Sequence, residues 1–543
     1  MHPPHASHHH HQTMRPPPPA QTVSSRPLLS PRHALAILVN IQIGSGIFSS
    51  PGHVDTNVPS PFAALAVWAF SGLLSWAGAA SFAELGTILP GNGGIQDYLR
   101  YVYGDIVSSL LGWIYVMAAL PSSMALQGIV LGESVGAAVG YWRGLEEGIW
   151  TGGQGRWVAV LAIGAVWLLN VRGTAASGRT SEIFTVCKLV TVGGVAVAGA
   201  AVAMRQLVGG GECTEDWCGR SWFEARDVDS GTSRIDWGNV SFLQMVGHYS
   251  AAVYAGLWAY SGWDSAGFIA GDLKNAERTL PPVIHGSMAI VMVALEFVNV
   301  AYYILLPWKE VGSTNTIAVV AAHRNLGPIA AIVVAALVSI ACAGTINSQM
   351  FGHGRLVASA AQRGYIPSFF SGLDVCGLMN CDLGGAQKRP EAPERSSSEP
   401  LSPPIEQQPL LTSAMEAEPS LESNPPAEME TTDERAVPAR AMLLNATLAS
   451  IYLCAGNFEF LVKFIGISVW GFLFLAALGV IILRRREPNL HRPYKVTMAI
   501  PIVFCIIGFG MVASSIPFAP VESGILAGLF VIRFAAHRWL KQE

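Results

Sequence analysis

Apolar residues in this 543-residue chain arrive in long runs, and that grouping restricts the fold more than any single motif does. A run of roughly 20 apolar residues makes a helix long enough to cross a hydrocarbon core. In lipid, only helices and closed barrels pair all of their own backbone groups. Twelve runs are legible, near residues 34–56, 62–84, 105–135, 157–171, 181–204, 240–270, 283–306, 328–356, 441–456, 460–483, 497–516 and 520–537, the fourth and ninth being short. Only 13% of residues are charged and the mean hydropathy is +0.40, against about a quarter charged in soluble domains. The expectation is an all-α polytopic membrane protein with 12 transmembrane helices, whose first partner is the lipid bilayer. No basic stretch is interleaved with aromatic residues, so nucleic acid is not expected as a partner.

An even number of spans returns both termini to one side. Placing that side in the cytoplasm puts 24 of the 33 Lys and Arg residues there, against 8 opposite, with Lys463 inside a span. Short inner loops carry the excess of positive charge, so both termini are expected in the cytoplasm, and the plasma membrane is the expected location. The chain divides into a disordered tail at 1–33, five spans at 34–204, an outer loop at 205–239, five spans at 240–483, and two spans with a short tail at 484–543. The tract His8–His11 reads either as metal-binding or as part of a solvated tail. An inner-loop insertion at 372–440 holds 13 acidic and 5 basic residues among many Pro and Ser, a composition that does not build a core. It reads as a platform for a kinase or a ubiquitin-ligase adaptor, or as a tolerated linker. In the outer loop, Cys213 and Cys218 are a candidate disulfide on the oxidising side.

Two spans are interrupted. Within the first, Asn40–Gly52 reads N-I-Q-I-G-S-G-I-F-S-S-P-G, with glycines on both sides of Ser45 and Pro51 beyond. Glycine and proline weaken a regular helix, and a backbone break at membrane depth is tolerated only facing protein or a cavity. The alternative is a small-residue packing face. In the sixth span, Tyr254–Asp264 reads Y-A-G-L-W-A-Y-S-G-W-D, again with small residues inside an apolar run. Interrupted helices in corresponding positions, five spans apart, point to the binding site of an inverted-repeat secondary transporter. N–H groups of the first break suit a carboxylate, and carbonyls from both breaks suit an ammonium, which together describe an α-amino acid.

Single polar residues inside spans carry their own expectations. Lys188 stands about two turns into an apolar run, where a cation is costly and usually functional, although lysines near helix ends also snorkel. Glu296 in the seventh span is a candidate proton-coupling carboxylate or a packing residue. Glu84 reads as the cap of a packed inner loop or as a proton carrier, Glu133 as structural, and Pro121-Ser122-Ser123 as a cavity lining or as serines bonded to their own helix. No His, Cys, Asp or Glu spacing matches a metal or catalytic site, so neither metal nor cofactor is expected, and an enzyme is disfavoured.

The chain resembles the L-type amino acid transporters of the amino acid–polyamine–organocation superfamily, from about Pro31 to Arg538 without the insertion. The resemblance is carried by Gly44-Ser45-Gly46-Ile47-Phe48, Ala83-Glu84-Leu85-Gly86-Thr87, Gly93-Gly94 with Tyr98, Pro121-Ser122-Ser123, Glu182-Ile183-Phe184-Thr185 with Lys188, Tyr254 to Trp263, Arg355 with Gly364-Tyr365-Ile366-Pro367-Ser368, and Arg492-Pro493-Tyr494-Lys495. It implies a leucine-transporter-type 5+5 inverted repeat with broken helices 1 and 6. It implies that Ser45, Gly46 and Ile47, following Gly44, present N–H groups to the substrate carboxylate, and that carbonyls of Gln42, Trp258, Ala259 and Ser261 take the amino group. Trp258 falls at the outer gate, Ser123 and Trp470 border the side-chain pocket, and Lys188 supplies the cation that sodium supplies in sodium-coupled relatives. Sodium independence follows. Gln42 and Ser261 depart from the apolar residue and glycine usual there, which makes the pocket smaller or more polar and favours methionine-like or other neutral side chains. The outer loop 136–156 has no cysteine for a heavy chain, so no disulfide-linked heavy chain is expected, and the chain resembles stand-alone fungal methionine permeases. The expected function is therefore secondary transport of neutral L-amino acids by alternating access. The alternatives are an amino-acid sensor with little flux, or a transporter of cationic amino acids or amines.

Overall fold

The computed structural model describes residues 30–540 apart from 92, 146–152, 172–173, 210–215, 227, 230–233, 271–272 and 372–437. The tail 1–29 and most of the insertion lie outside the described residues. Each of the twelve apolar runs is helical. The first yields α1 (Pro31–Gln42) and α2 (Gly46–Asp55), followed by α3 (Pro61–Ile88), a short inner helix α4 (Ile95–Tyr103), α5 (Asp105–Ile114), α6 (Leu120–Trp142), α7 (Gln154–Val171) and α8 (Thr174–Val208). The outer loop holds α9 (Asp216–Gly219) and a two-residue antiparallel pair, β1 (Val228–Asp229) against β2 (Arg234–Ile235), with Val228 opposite Ile235. Then come α10 (Phe242–Ala259), α11 (Ala266–Ile269), α12 (Ala276–Leu305), α13 (Trp308–Val311), α14 (Ile317–Leu326), α15 (Pro328–Gln362), α16 (Ala439–Ala455), α17 (Phe458–Arg486), α18 (Ala499–Phe518) and α19 (Pro520–Leu540).

By length and apolar character, eight described helices are able to cross a membrane, or nine when α1 and α2 count as one broken span. α10, α16 and α19 lie along the other predicted spans and are shorter or less apolar; α10 carries Gln244 and His248. Helix starts follow local chemistry. Ser30 and Ser60 cap α1 and α3, each followed by a proline in the first turn, where its missing N–H costs nothing. Ser241 and Gln244 close a capping box at α10.

The helices sort into two packed groups. α1, α2, α3, α10 and α12 pack on one another, and α6, α7, α15 and α16 do the same, with α8 touching both α12 and α15. Between α5 and α6 the span widens into a π-helical turn, Tyr115–Ala119, just before Pro121. Proline has no N–H to give the carbonyl four residues back, and that carbonyl, of Met117, accepts the Tyr452 hydroxyl instead.

Each end of the first group is clasped by a buried ion cluster. At one end, Glu84 (1% exposed) binds Arg484 through two bonds and accepts Val496 N–H at 2.9 Å, with Arg492 Nε 3.6 Å away. The expectation that Glu84 caps a packed loop is met. Beside it, Trp76 donates to His285 Nδ1 at 2.8 Å, which fixes the proton on Nε2 facing the Tyr494 hydroxyl at 2.8 Å. Burial, with the Glu84 charge nearby, pushes the Tyr494 phenol above its ordinary range. At the opposite end, Arg226 of the loop 205–239 binds both Asp55, the last residue of α2, and the Trp308 carbonyl. Tyr303 of α12 donates to the same Asp55 oxygen at 2.5 Å, and Asp216 accepts Trp308 N–H at 2.9 Å.

Candidate functional site

The first break is Ile43-Gly44-Ser45, across which α1 and α2 bend by 44°. Gly44 N–H turns back to the Gln42 carbonyl at 2.9 Å, and Phe48 and Ser49 donate to the Ser45 carbonyl at 2.9 and 3.1 Å. The first N–H groups of a helix have no partner within it. Ser45 N–H is taken by Gln127 Oε1 at 3.2 Å, whereas Gly46 and Ile47 N–H find no acceptor among the described residues. They stand at the positive end of α2, where an anion is stabilised. The expected three-donor cradle is thus two donors plus one already committed.

The second break falls in the C-terminal half of the stretch Tyr254–Asp264. α10 is regular through Ala259, and its last turn is closed by Tyr260 N–H on the Gly256 carbonyl at 3.2 Å and Ser261 N–H on the Trp258 carbonyl at 3.1 Å. Gly262 follows at φ +101°, a conformation that disfavours any residue with a Cβ. The chain resumes as the turn Trp263–Ser265 and α11. The two breaks touch: a Cβ on Gly46 would stand 2.6 Å from Ala259 Cα. Of the four expected ammonium acceptors, the Gln42 carbonyl already accepts one bond and keeps a second lone pair, the Trp258 carbonyl accepts the N–H groups of both Tyr260 and Ser261, and those of Ala259 and Ser261 accept none among the described residues. Ser261 is exposed, whereas Gln42, Ser45 and Trp258 are buried.

Around this junction, buried polar atoms lack partners: Asn40 Oδ1, Gln42 Oε1, Ser45 Oγ, Trp258 Nε1 and Gln349 Oε1. An unpaired buried polar group costs about 1–3 kcal/mol, and four of these five atoms lie on the two broken helices. Gln42 spends its other end on Ser287 Oγ of α12 at 3.1 Å. Ser123 Oγ accepts Gln349 Nε2 at 2.7 Å. Trp470 is buried and stacks on Phe504, with ring centroids 5.4 Å apart.

Lys188, 2% exposed, reaches across from α8 to the Asn40 carbonyl at the end of α1, 3.3 Å away, so its charge meets the exposed carbonyl end of a half-helix. Glu296 faces away from Gln42 and the first break. It lies nine residues from Ser287 on α12, half a turn out of phase, and lines a cavity of about 450 Å³ with Trp76, Met292, Val293 and Phe297. Phe297 is 64% exposed, which puts that cavity on the outer face of the bundle. The Glu296 charge nevertheless acts on the hydroxyl of Tyr260, the residue that ends α10 at the second break. Glu133 accepts Asn315 Nδ2 at 3.3 Å away from both breaks. Cys218 is disulfide-bonded, and Cys213 lies outside the described residues.

Three polar contributors escape a reading of the motifs: Gln127, Ser287 and Gln349. Each sits inside an apolar run on a helix remote in sequence, and the only signal is that a polar side chain there needs a partner.

A family model for amino acid permeases matches residues 29–531. The chain is 26% identical over 517 residues to the cystine/glutamate transporter of Homo sapiens, covering 93% of this chain and 86% of the relative. It is 27% identical over 512 residues to the b(0,+)-type amino acid transporter 1 of Homo sapiens, covering 94% and 87%. To the large neutral amino acids transporter small subunit 2 of Mus musculus it is 23% identical over 493 residues, covering 91% and 77%.

Proposed function

The chain belongs to the amino acid permease family, and from that premise we propose that it moves neutral L-amino acids across a membrane by alternating access. It is an integral membrane permease and not an enzyme. The carrying observation is the contact of the two breaks at Gly46 and Ala259, with two uncommitted N–H groups on one side and carbonyls with spare lone pairs on the other. A zwitterion held by both breaks binds them together in one state more than in the other, and such a difference is what shifts a conformational equilibrium.

The reading includes twelve spans in a 5+5 inverted repeat, with both termini in the cytoplasm of a plasma-membrane protein. The group α1, α2, α3, α10 and α12 rocks against α6, α7, α15 and α16. Lys188 replaces a sodium ion, so uptake is sodium-independent, and no heavy chain is attached. A neutral cargo is supported by the ligating groups at the two breaks being backbone N–H and carbonyl groups, with Lys188 spent on Asn40. The relatives are named for different cargoes, so the choice rests on this chain's own residues.

The test is uptake of labelled methionine, leucine, glutamine and arginine into proteoliposomes, with and without an inward proton gradient. Saturable uptake of neutral amino acids is the expected result, and arginine transport alone would overturn it. Gradient-driven uptake that Glu296→Gln uncouples would assign the proton to Glu296; uptake that requires internal amino acid and ignores the gradient would make the protein an exchanger.

A further inference from the structure

Four residues on two scaffold helices repeat the same spacing. Ser123 and Gln127 lie one turn apart on α6, and Thr345 and Gln349 one turn apart on α15. Gln127 holds Ser45 N–H, and Thr345 Cγ2 is 3.9 Å from where a Gly44 Cβ would stand, so that level meets the first break. One turn away, Gln349 donates to Ser123 at 2.7 Å. Ser123 is 8% exposed, Gln349 is half-buried, and Gln349 Oε1 is buried with no partner. Gln349 Oε1 therefore still seeks a donor, and the Ser123 hydroxyl hydrogen has no acceptor among the described residues. Turning the amide over changes which residue offers which group, but not the result: one donor and one acceptor stay unspent.

A primary carboxamide is the complement of that pair, since its N–H needs an acceptor and its carbonyl a donor. Neighbours one turn apart on a helix are separated by about 5–6 Å. In an extended glutamine, the carboxyl and amide carbons are roughly 5 Å apart, four C–C bonds of about 1.5 Å. A cargo whose carboxylate meets the Gly46 and Ile47 N–H groups can thus place a side-chain amide at the neighbouring turn.

We propose that Ser123 and Gln349 form a hydrogen-bonding subsite that selects neutral amino acids with a carboxamide side chain, glutamine above all, over purely apolar ones. The proposal rests on the permease reading and narrows its cargo. A subsite with buried polar groups rejects cargo that leaves them unpaired more strongly than an apolar pocket rejects a polar one.

The experiment measures labelled glutamine and methionine uptake side by side in proteoliposomes of the full chain, wild type and the variants Gln349→Leu and Ser123→Ala. The glutamine-to-methionine ratio of kcat/KM within one preparation is independent of how much protein folded. The wild type is expected to prefer glutamine, and each substitution to lower the ratio about tenfold, the scale of one neutral hydrogen bond. A wild type that prefers methionine, or a ratio untouched by both substitutions, overturns the subsite while leaving a neutral permease standing. No uptake of any amino acid by well-folded wild type overturns the permease reading itself.

Discussion

At the scale of residues, the junction depends on an atom that is missing. Ala259 backbone lies where a Gly46 side chain would be, and backbone is slow to yield, so overpacking there costs about 1–3 kcal/mol. Gly46→Ala is expected to reduce uptake at least tenfold per molecule of monodisperse protein. Ser261, exposed at the second break, is expected to tolerate tyrosine in the fold but not in transport; unchanged uptake by Ser261→Tyr would put the site elsewhere. The Gly-Ser-Gly sequence made the first break legible because glycine and proline are rare without cause in an apolar run. The commitment of Ser45 N–H to Gln127 was not legible, since 82 residues separate the partners and only the packed helices bring them together. Lys188 was legible by its cost alone, and its partner, a carbonyl, could not be read from any side-chain pattern.

Among elements, the helices were the readable part and the joints between them were not. Apolar runs locate each of the eight described helices of membrane length, but α10 stays regular five residues past the start of the pattern that announces its break, because small residues interrupt a helix only where the backbone finds other partners. The clasps at the ends of the first group are the strongest element-level devices. Glu84→Gln leaves Arg484 and Arg492, 10% and 6% exposed, without their carboxylate. Removing one partner of a buried pair costs about 3–5 kcal/mol, and a clear fall in the midpoint of thermal unfolding in detergent is expected. At the opposite end, Arg226→Ala frees Asp55. A cysteine placed at Thr56, with Cys454 replaced by serine, is then expected to react faster with a membrane-impermeant maleimide than it does beside intact Arg226. An unchanged rate would mean that the clasp does not hold α2.

For the molecule as a whole, two helix groups that pack internally are what the proposed alternating access requires. If Lys188 occupies the place of a bound cation, replacing sodium with choline should leave wild-type uptake unaltered, and Lys188→Ala should abolish it. Fold class was legible from hydropathy because lipid leaves so few solutions; cargo was not, because it is set by a handful of polar atoms that packing alone brings together. The Arg226 clasp has a pharmacological consequence. Arg226 ties α2 to the loop 205–239, which contributes none of the residues proposed to hold the cargo. An antibody fragment that grips that loop would act as a brake, lowering the maximal rate without competing with substrate, and would discriminate between permeases whose binding junctions are alike.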